Sequence, residues 1–326
     1  MREQPFTMTD PVGVAVHVYV WLPDAGAPVR GIVQIAHGMC ETAARYAETA
    51  ERLTRTGYAV YAGDHRGHGL TAGEITMLGD AGRDGFYWMV RNMLQIAGIA
   101  TQRHPGLPLF LLGHSMGSFL SQKVMCSPGS RYYSGFLLTG SNGPRGLLRF
   151  GESLARAQAA LSGELHRSFL LNTIVFGGNN RALPKARTSF DWLSSDPEEV
   201  DRFISDPFCG AICTTRFFRD FFRLLRNIHD SATLKGLCRD KPVYLFSGTE
   251  DPVGFNGNGV HRLAGLYREC GITDVELKLY EGGRHEVLHE VNRSQVIGDM
   301  LDWLARHLPK GRGLLRVPNE DEAVQD

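Results

Sequence analysis

Leu109-Phe110-Leu111-Leu112-Gly113-His114-Ser115-Met116-Gly117-Ser118 is the stretch that decides the fold. Four apolar residues, Leu109 to Leu112, have the length and composition of a short buried strand. A serine follows inside Gly-x-Ser-x-Gly, and Ser118 to Met125 can continue as a helix. This is the sequence of a nucleophile elbow, a tight strand-to-helix turn that lifts a serine oxygen out of a sheet. The two glycines have a steric role, because a side chain at either one would collide with the strand or the helix. The pentapeptide alone is weak in a chain with 38 glycines, so the flanks carry the reading.

The same strand, loop and helix rhythm extends outward in both directions. Val12 to Trp21 alternates as a strand, and Ile32 to Ala36 reads as a buried strand closed by His37-Gly38. Helical spacing follows from Ala43 to Arg55. Tyr58 to Ala62 is the next strand and ends at Asp64-His65-Arg66-Gly67-His68-Gly69. Phe86 to Thr101 reads as a helix, and Phe136 to Thr139 as a strand. The order predicts an α/β protein: a mostly parallel sheet with helices on both faces. Ligands in such sheets sit at the carboxyl ends of the strands, which is where His37, Asp64 and Ser115 fall.

From about Ser141 to Ser231 the rhythm stops and helical pieces dominate. Asp196-Pro197-Glu198-Glu199 is a helix start, with an N-cap aspartate, proline at the first helical position and acids in the first turn. Thr214 to Ile228 carries Phe217, Phe218, Phe221, Phe222, Leu224, Leu225 and Ile228. That face either packs on the main domain or lines an apolar substrate channel. The sheet pattern then resumes with Val243 to Ser247, a helix from His261 to Cys270, a strand from Val275 to Tyr280 and a helix from Ser294 to His307. The expected division is a core of residues 1–140 and 232–310, a helical cap of 141–231, and a disordered tail of 311–326.

Composition narrows the function. The chain has 326 residues, 43% hydrophobic and 21% charged, which suits a globular protein with a large core. Formal net charge is zero, which argues against nucleic acid as a partner. No apolar run has the length of a membrane span, and Met1 to Phe6 lacks the apolar stretch of a signal peptide. A cytoplasmic protein is expected. Cys40, Cys126, Cys209, Cys213, Cys238 and Cys270 are scattered and read as reduced thiols. Cys209 and Cys213 lack the second pair that a zinc site would need.

A serine hydroxyl needs a base to take its proton and a carboxylate to orient that base. Asp251 and His285 both follow strands in the resumed sheet and belong to the rim of Ser115. Glu250 is the alternative acid, and His289 the weaker alternative base. Glu286 and Glu290 read as surface or helix-start charges. Acyl transfer also needs donors for the developing oxyanion. The backbone N–H of Met116 and that of Met39, in the loop after the Ile32 strand, fit that role. His37 reads as a brace for this loop, and Asp64 to Gly69 as a buried hydrogen-bonded loop.

The strings His37-Gly38-Met39, Asp64 to Gly69, Gly113 to Gly117, Ser247 to Val253 and Gly283-Arg284-His285-Glu286 together resemble the α/β-hydrolase superfamily. Within it they are most similar to the monoacylglycerol lipase and lysophospholipase-like branch, grouped with serine aminopeptidase S33-type hydrolases. The resemblance covers nearly the whole core and an inserted helical cap. It implies Ser115 as nucleophile, His285 as base, Asp251 as its partner, Met39 and Met116 as oxyanion donors, and no cofactor. It implies a small-molecule carboxylic ester with an apolar acyl group as substrate. A lipid substrate would bring the cap to a membrane surface. Two other readings are a serine aminopeptidase or amidase, with Glu198, Glu199 or Asp201 receiving an amine, and a non-catalytic ligand-binding protein on the same fold.

Overall fold

The computed structural model describes residues 1–183 and 185–309, together with the backbone of Leu315–Arg316. Ten strands precede that last pair. They are β1 (Arg2–Glu3), β2 (Phe6–Thr9), β3 (Ala15–Leu22), β4 (Pro28–Val29), β5 (Gly31–Ala36), β6 (Tyr58–Gly63), β7 (Leu109–His114), β8 (Gly135–Thr139), β9 (Val243–Gly248) and β10 (Val275–Tyr280). The main sheet runs β1-β3-β6-β5-β7-β8-β9-β10, with β2 also paired to β3. From β6 to β10 every pairing is parallel, whereas β1, β2 and β6 pair with β3 antiparallel. The mostly parallel α/β sheet expected from the sequence is present, with an antiparallel edge.

Period-two alternation explains why the central strands read as continuous apolar runs. Side chains of successive residues point to opposite faces, and both faces are covered. Leu109 and Leu111 join one apolar cluster while Phe110 and Leu112 join the other. Val243 and Leu245 divide from Tyr244 and Phe246 in the same way. Helices α1 (Ala47–Arg55) and α10 (Arg293–Arg306) cover the second face through Ala50, Leu53, Val296, Met300 and Trp303. Helices α2 (Gly85–Arg103), α3 (Met116–Met125) and α9 (Asn258–Glu269) cover the first. Trp303 is fully buried, and truncating it to alanine would cost roughly 3–5 kcal/mol.

The N-terminal strand is shorter than its alternation suggests. Asp10 Oδ1 accepts the N–H groups of Val12 (3.1 Å) and Val14 (3.0 Å), and this turn holds the chain out of the sheet until Ala15. The short strands β1 and β2, which carry no long apolar run, were not expected.

Between β8 and β9 the chain is helical: α4 (Leu148–Ser162), α5 (Phe169–Phe176), α6 (Pro197–Ser205), α7 (Thr215–Ile228) and α8 (Ser231–Leu234). Asp196 caps α6 by accepting the Glu198 N–H at 3.0 Å, with Pro197 at the first position. Thr214 caps α7 by accepting the Phe217 N–H at 3.2 Å. The phenylalanines of α7 are core packing. Phe217 and Phe221 meet Phe86 of α2 at ring separations of 4.9 and 5.8 Å. Phe221 also meets Phe119 of α3 at 6.2 Å. Among the described residues no helix is long and apolar enough to cross a membrane. The expected tail, 311–326, lies outside the described residues except for Leu315–Arg316, which pairs antiparallel with β4.

Candidate active site

Ser115 stands at the turn between β7 and α3 with φ 50° and ψ −117°. A non-glycine residue at positive φ costs about 1–3 kcal/mol, so the surroundings must hold it. The Ser115 N–H donates to the Thr139 carbonyl at 3.0 Å, and the Ser118 N–H donates to the Ser115 carbonyl at 2.9 Å. The flanking glycines are sterically required. A Cβ on Gly113 would strike the Ser121 hydroxyl and the Gly117 carbonyl, and one on Gly117 would strike the Ala36 and His37 carbonyls.

Asp251 and His285 come from the loops after β9 and β10. His285 Nδ1 donates to Asp251 Oδ1 at 2.9 Å. Asp251 is fully buried and also accepts the Val253 N–H (2.9 Å) and the Ser247 hydroxyl (2.8 Å). Burial alone would raise its pKa, but the His285 charge and these hydrogen bonds hold it below the usual carboxylate value. Burial alone would lower His285, and the Asp251 carboxylate overrides that and holds it above its ordinary value. Glu250, the alternative acid, has no hydrogen bond to His285, and His289 Nε2 lies 3.1 Å from the Arg45 carbonyl. His285 and Ser115 line one cavity of about 170 Å³.

Met39 and Met116 both stand beside Ser115. Met116 begins α3, so its N–H has no acceptor within the helix. The Met39 N–H has no protein acceptor among the described residues. The loop before it is tightly held. The Gly38 N–H donates to Glu41 Oε1 at 2.5 Å. His37 Nδ1 donates to the Gly38 carbonyl (2.8 Å), and the His65 N–H donates to His37 Nε2 (2.9 Å). One ring nitrogen donates and the other accepts, which defines a neutral imidazole; burial lowers its pKa to about 4. His37 is therefore a brace, as expected. Asp64 likewise ties its loop together. It accepts Thr42 Oγ1 (2.9 Å) and the N–H groups of Ala43 and Leu70 (both 2.8 Å), and burial raises its pKa to about 6.

Two acids depart from expectation. Glu286 is buried, and Arg45 grips its two oxygens at 2.8 and 2.7 Å. Burial would raise its pKa, but Arg45 holds it well below the usual value. Glu290 is fully buried and accepts the Arg284 and Ser195 N–H groups, each at 2.9 Å, and the Ser195 hydroxyl. Arg284 in turn donates to the carbonyls of Asp191 (2.7 Å) and Ser194 (2.8 Å). These bonds stitch the His285 loop to the segment before α6. Apart from the Arg284 N–H, six residues from Glu290, the partners are 90 or more residues away in sequence, so no local signal marks them.

The cavity has two kinds of wall. Phe176, Phe190, Trp192, Leu193 and Phe203, all from the helical insert, form an apolar side. Trp192 also packs on the His285 ring at 5.1 Å. Glu41, His114 and Glu286 form a polar side. Donor atoms of these three lie within 4.8 Å of one another, the spacing of a metal site. However, Arg45 already neutralises both acids, bonding Glu41 Oε2 at 2.6 Å as well as Glu286. That donor set fits a guanidinium better than a divalent ion. The α7 phenylalanines do not line this cavity, which corrects the channel reading of that helix. A larger groove of about 800 Å³, between α2, α3 and α7, contains none of Ser115, Asp251 and His285.

A strained serine on a strand-to-helix turn, with a His–Asp pair on neighbouring strand ends of a parallel sheet, defines an α/β-hydrolase. The model of the serine aminopeptidase S33 family matches residues 27–292, and the chain belongs to that family. It is 31% identical to the monoacylglycerol lipase of Mycolicibacterium smegmatis over 91% of this chain and 95% of that relative. It is 30% identical to the monoglyceride lipase of Mus musculus over 88% of this chain and 86% of that one. A thermostable carboxyl esterase from Bacillus coagulans has a similar structure, with TM-score 0.87, 26% identity, and coverage of 95% of this chain and all of that chain.

Proposed function

We propose that this protein is a serine hydrolase of carboxylic esters, with Ser115, His285 and Asp251 as its triad. The observation that carries this reading is the pairing of His285 with Asp251 in the cavity that holds Ser115. His285 takes the Ser115 proton as the hydroxyl attacks the ester carbonyl. The N–H groups of Met39 and Met116 stabilise the oxyanion. His285 then gives its proton to the leaving alcohol, and a water activated by His285 releases the acid.

The walls of the cavity, together with the relatives, favour monoacylglycerol-like esters. The aromatic side suits an acyl chain, and Glu41, Glu286 and His114 suit the hydroxyls of a small polyol. The helical segment 141–231 then acts as the cap that sets chain length. Exposed apolar residues on α4, α5 and the turn between them, including Phe150, Leu161, Leu165 and Phe169, support contact of this cap with a lipid surface. The amidase reading is weaker, because Glu198, Glu199 and Asp201 lie outside the cavity and pair with Arg202 and Arg187. Six free cysteines support a reducing, cytoplasmic setting.

The test is a matched panel of short and long p-nitrophenyl esters, a monoacylglycerol, a lysophospholipid and an aminoacyl amide, with Ser115→Ala as control. Serine-dependent turnover that peaks on the monoacylglycerol supports the proposal. A peak on the amide replaces it with the peptidase reading, and a chain inert to every substrate and to a serine-directed phosphonate overturns it.

A further inference from the structure

Cys40 directly follows Met39 and has φ 58°. Its Sγ donates to the Ala211 carbonyl at 2.9 Å and lies 3.4 Å from Cys213 Sγ. The Gly210 N–H returns a bond to the Cys40 carbonyl at 2.8 Å. The loop that presents the Met39 N–H is therefore joined to the segment leading into α7, 173 residues away. No other two cysteine sulfurs are in hydrogen-bond contact among the described residues. Cys213 is wholly buried, whereas Cys40, itself buried, is part of the wall of the cavity that holds Ser115, the side from which a small oxidant would approach it.

We propose that Cys40 and Cys213 form a reversible disulfide, driven by a hydroperoxide, that slows the hydrolase. Its effect on turnover rests on the ester-hydrolase reading, whereas the bond itself does not. Cys40 sulfur attacks one peroxide oxygen, the O–O bond breaks, and water or an alcohol leaves, giving a Cys40 sulfenic acid. Cys213 sulfur then attacks Cys40 sulfur and the S–O bond breaks. The departing hydroxide takes the Cys213 proton and leaves as water. Two thiols lose two electrons and one hydroperoxide gains them. Burial pushes the Cys213 thiol well above its ordinary pKa, which slows this second step.

The geometric consequence falls on the oxyanion loop. A disulfide bond is about 2.05 Å long, so the sulfurs must approach by about 1.4 Å. Both backbones are pinned, the Cys213 carbonyl by the Ser168 N–H at 3.1 Å and the Cys40 carbonyl by the Gly210 N–H at 2.8 Å, so the approach draws on both sides. Part of the shift is then taken by Cys40, one residue from the Met39 donor. A misplacement of about 1 Å can cost roughly 100-fold in rate.

The experiment treats the full chain with hydrogen peroxide, blocks free thiols with an alkylating agent, and maps linked peptides by mass spectrometry. Ester turnover is read in parallel. The expected result is a Cys40–Cys213 link, turnover at least tenfold lower, and recovery of both on adding a thiol reductant. Cys213→Ala, outside the cavity, keeps its resting turnover and shows neither link nor reductant-reversible loss. Alkylation of both thiols after the oxidant has inactivated the protein would overturn the proposal. So would a link that leaves turnover unchanged. If Cys213→Ala fails to fold, mapping the unaltered chain still decides. The link is read by mass, so its failure is separable from failure of the ester reading.

Discussion

Three buried histidines and His285 stand on the same rim of the sheet, and the electrostatics moves His285 the opposite way from the three. His37, His65 and His68 lie in contact after β5 and β6, with His37 at ring separations of 4.4 and 5.3 Å from the other two. Burial lowers all three, His37 to about 4, His68 to about 3 and His65 well below its usual value. His285 is as buried as they are, yet its pKa is raised, because burial is outweighed by the Asp251 carboxylate bonded to Nδ1. Burial alone makes a histidine a neutral strut. The ionised Asp251 carboxylate, hydrogen-bonded to Nδ1, makes the equally buried His285 a base with a fixed tautomer. His114 marks the boundary: it packs on His285 at 4.8 Å, and burial holds it well below its ordinary value.

The sharpest way to break this comparison is to remove the reacting groups. Ser115→Ala or His285→Ala should lower ester turnover by roughly 10⁴- to 10⁶-fold. Near-normal rates in a folded variant would remove the triad assignment. Asp251→Asn keeps the shape but loses the charge, and turnover should fall by about 10⁴-fold. The acid limb of any residual activity should also move to lower pH, since the group that raises His285 is gone. An unchanged limb would mean that His285 is not the titrating base.

In the unaltered chain the sign is set by the base. His285 must be neutral to accept a proton, and its pKa lies above the ordinary value of about 6.5. Turnover should therefore drop tenfold per pH unit below a midpoint above about 6.5. A pH profile of kcat/KM on a neutral ester checks this, and a midpoint near 4 would assign the limb to a strut histidine instead.

The legibility of these groups in the sequence follows from how local their causes are. The elbow, the strands from Gly31 to Tyr280 and the residues after them were readable, because strand period and Gly-x-Ser-x-Gly are short-range signals. The cap of α6 was readable for the same reason. Glu286 and Glu290 were misread as surface charges, because their partners Arg45 and Ser195 lie far away in the chain. The channel reading of α7 failed because periodicity marks an apolar face without saying what covers it. Trp192, Phe190 and the Cys40–Cys213 contact carry no local pattern at all and emerge only when the insert folds over the rim.

The smallest expected effect concerns the struts, and it tests whether they are only struts. Each has a lowered folded pKa, so the unfolded chain takes up its proton first as pH falls. Stability is then complete above about 6.5 and is lost as pH drops toward the folded values near 3 to 4. The loss is about 1.4 kcal/mol per pH unit for each such histidine. His68 has an unpaired Nε2 and a ring 5.7 Å from Phe217, and its Nδ1 donates to the Arg66 carbonyl at 2.9 Å, so leucine fills its site at the loss of that one bond, a loss that does not vary with pH. His68→Leu should shallow the fall of unfolding free energy between pH 6 and pH 5 by about that amount, as read from urea midpoints. It should leave the midpoint of the kcat/KM profile where it was. A shifted midpoint would couple His68 to proton transfer and erase the distinction between strut and base.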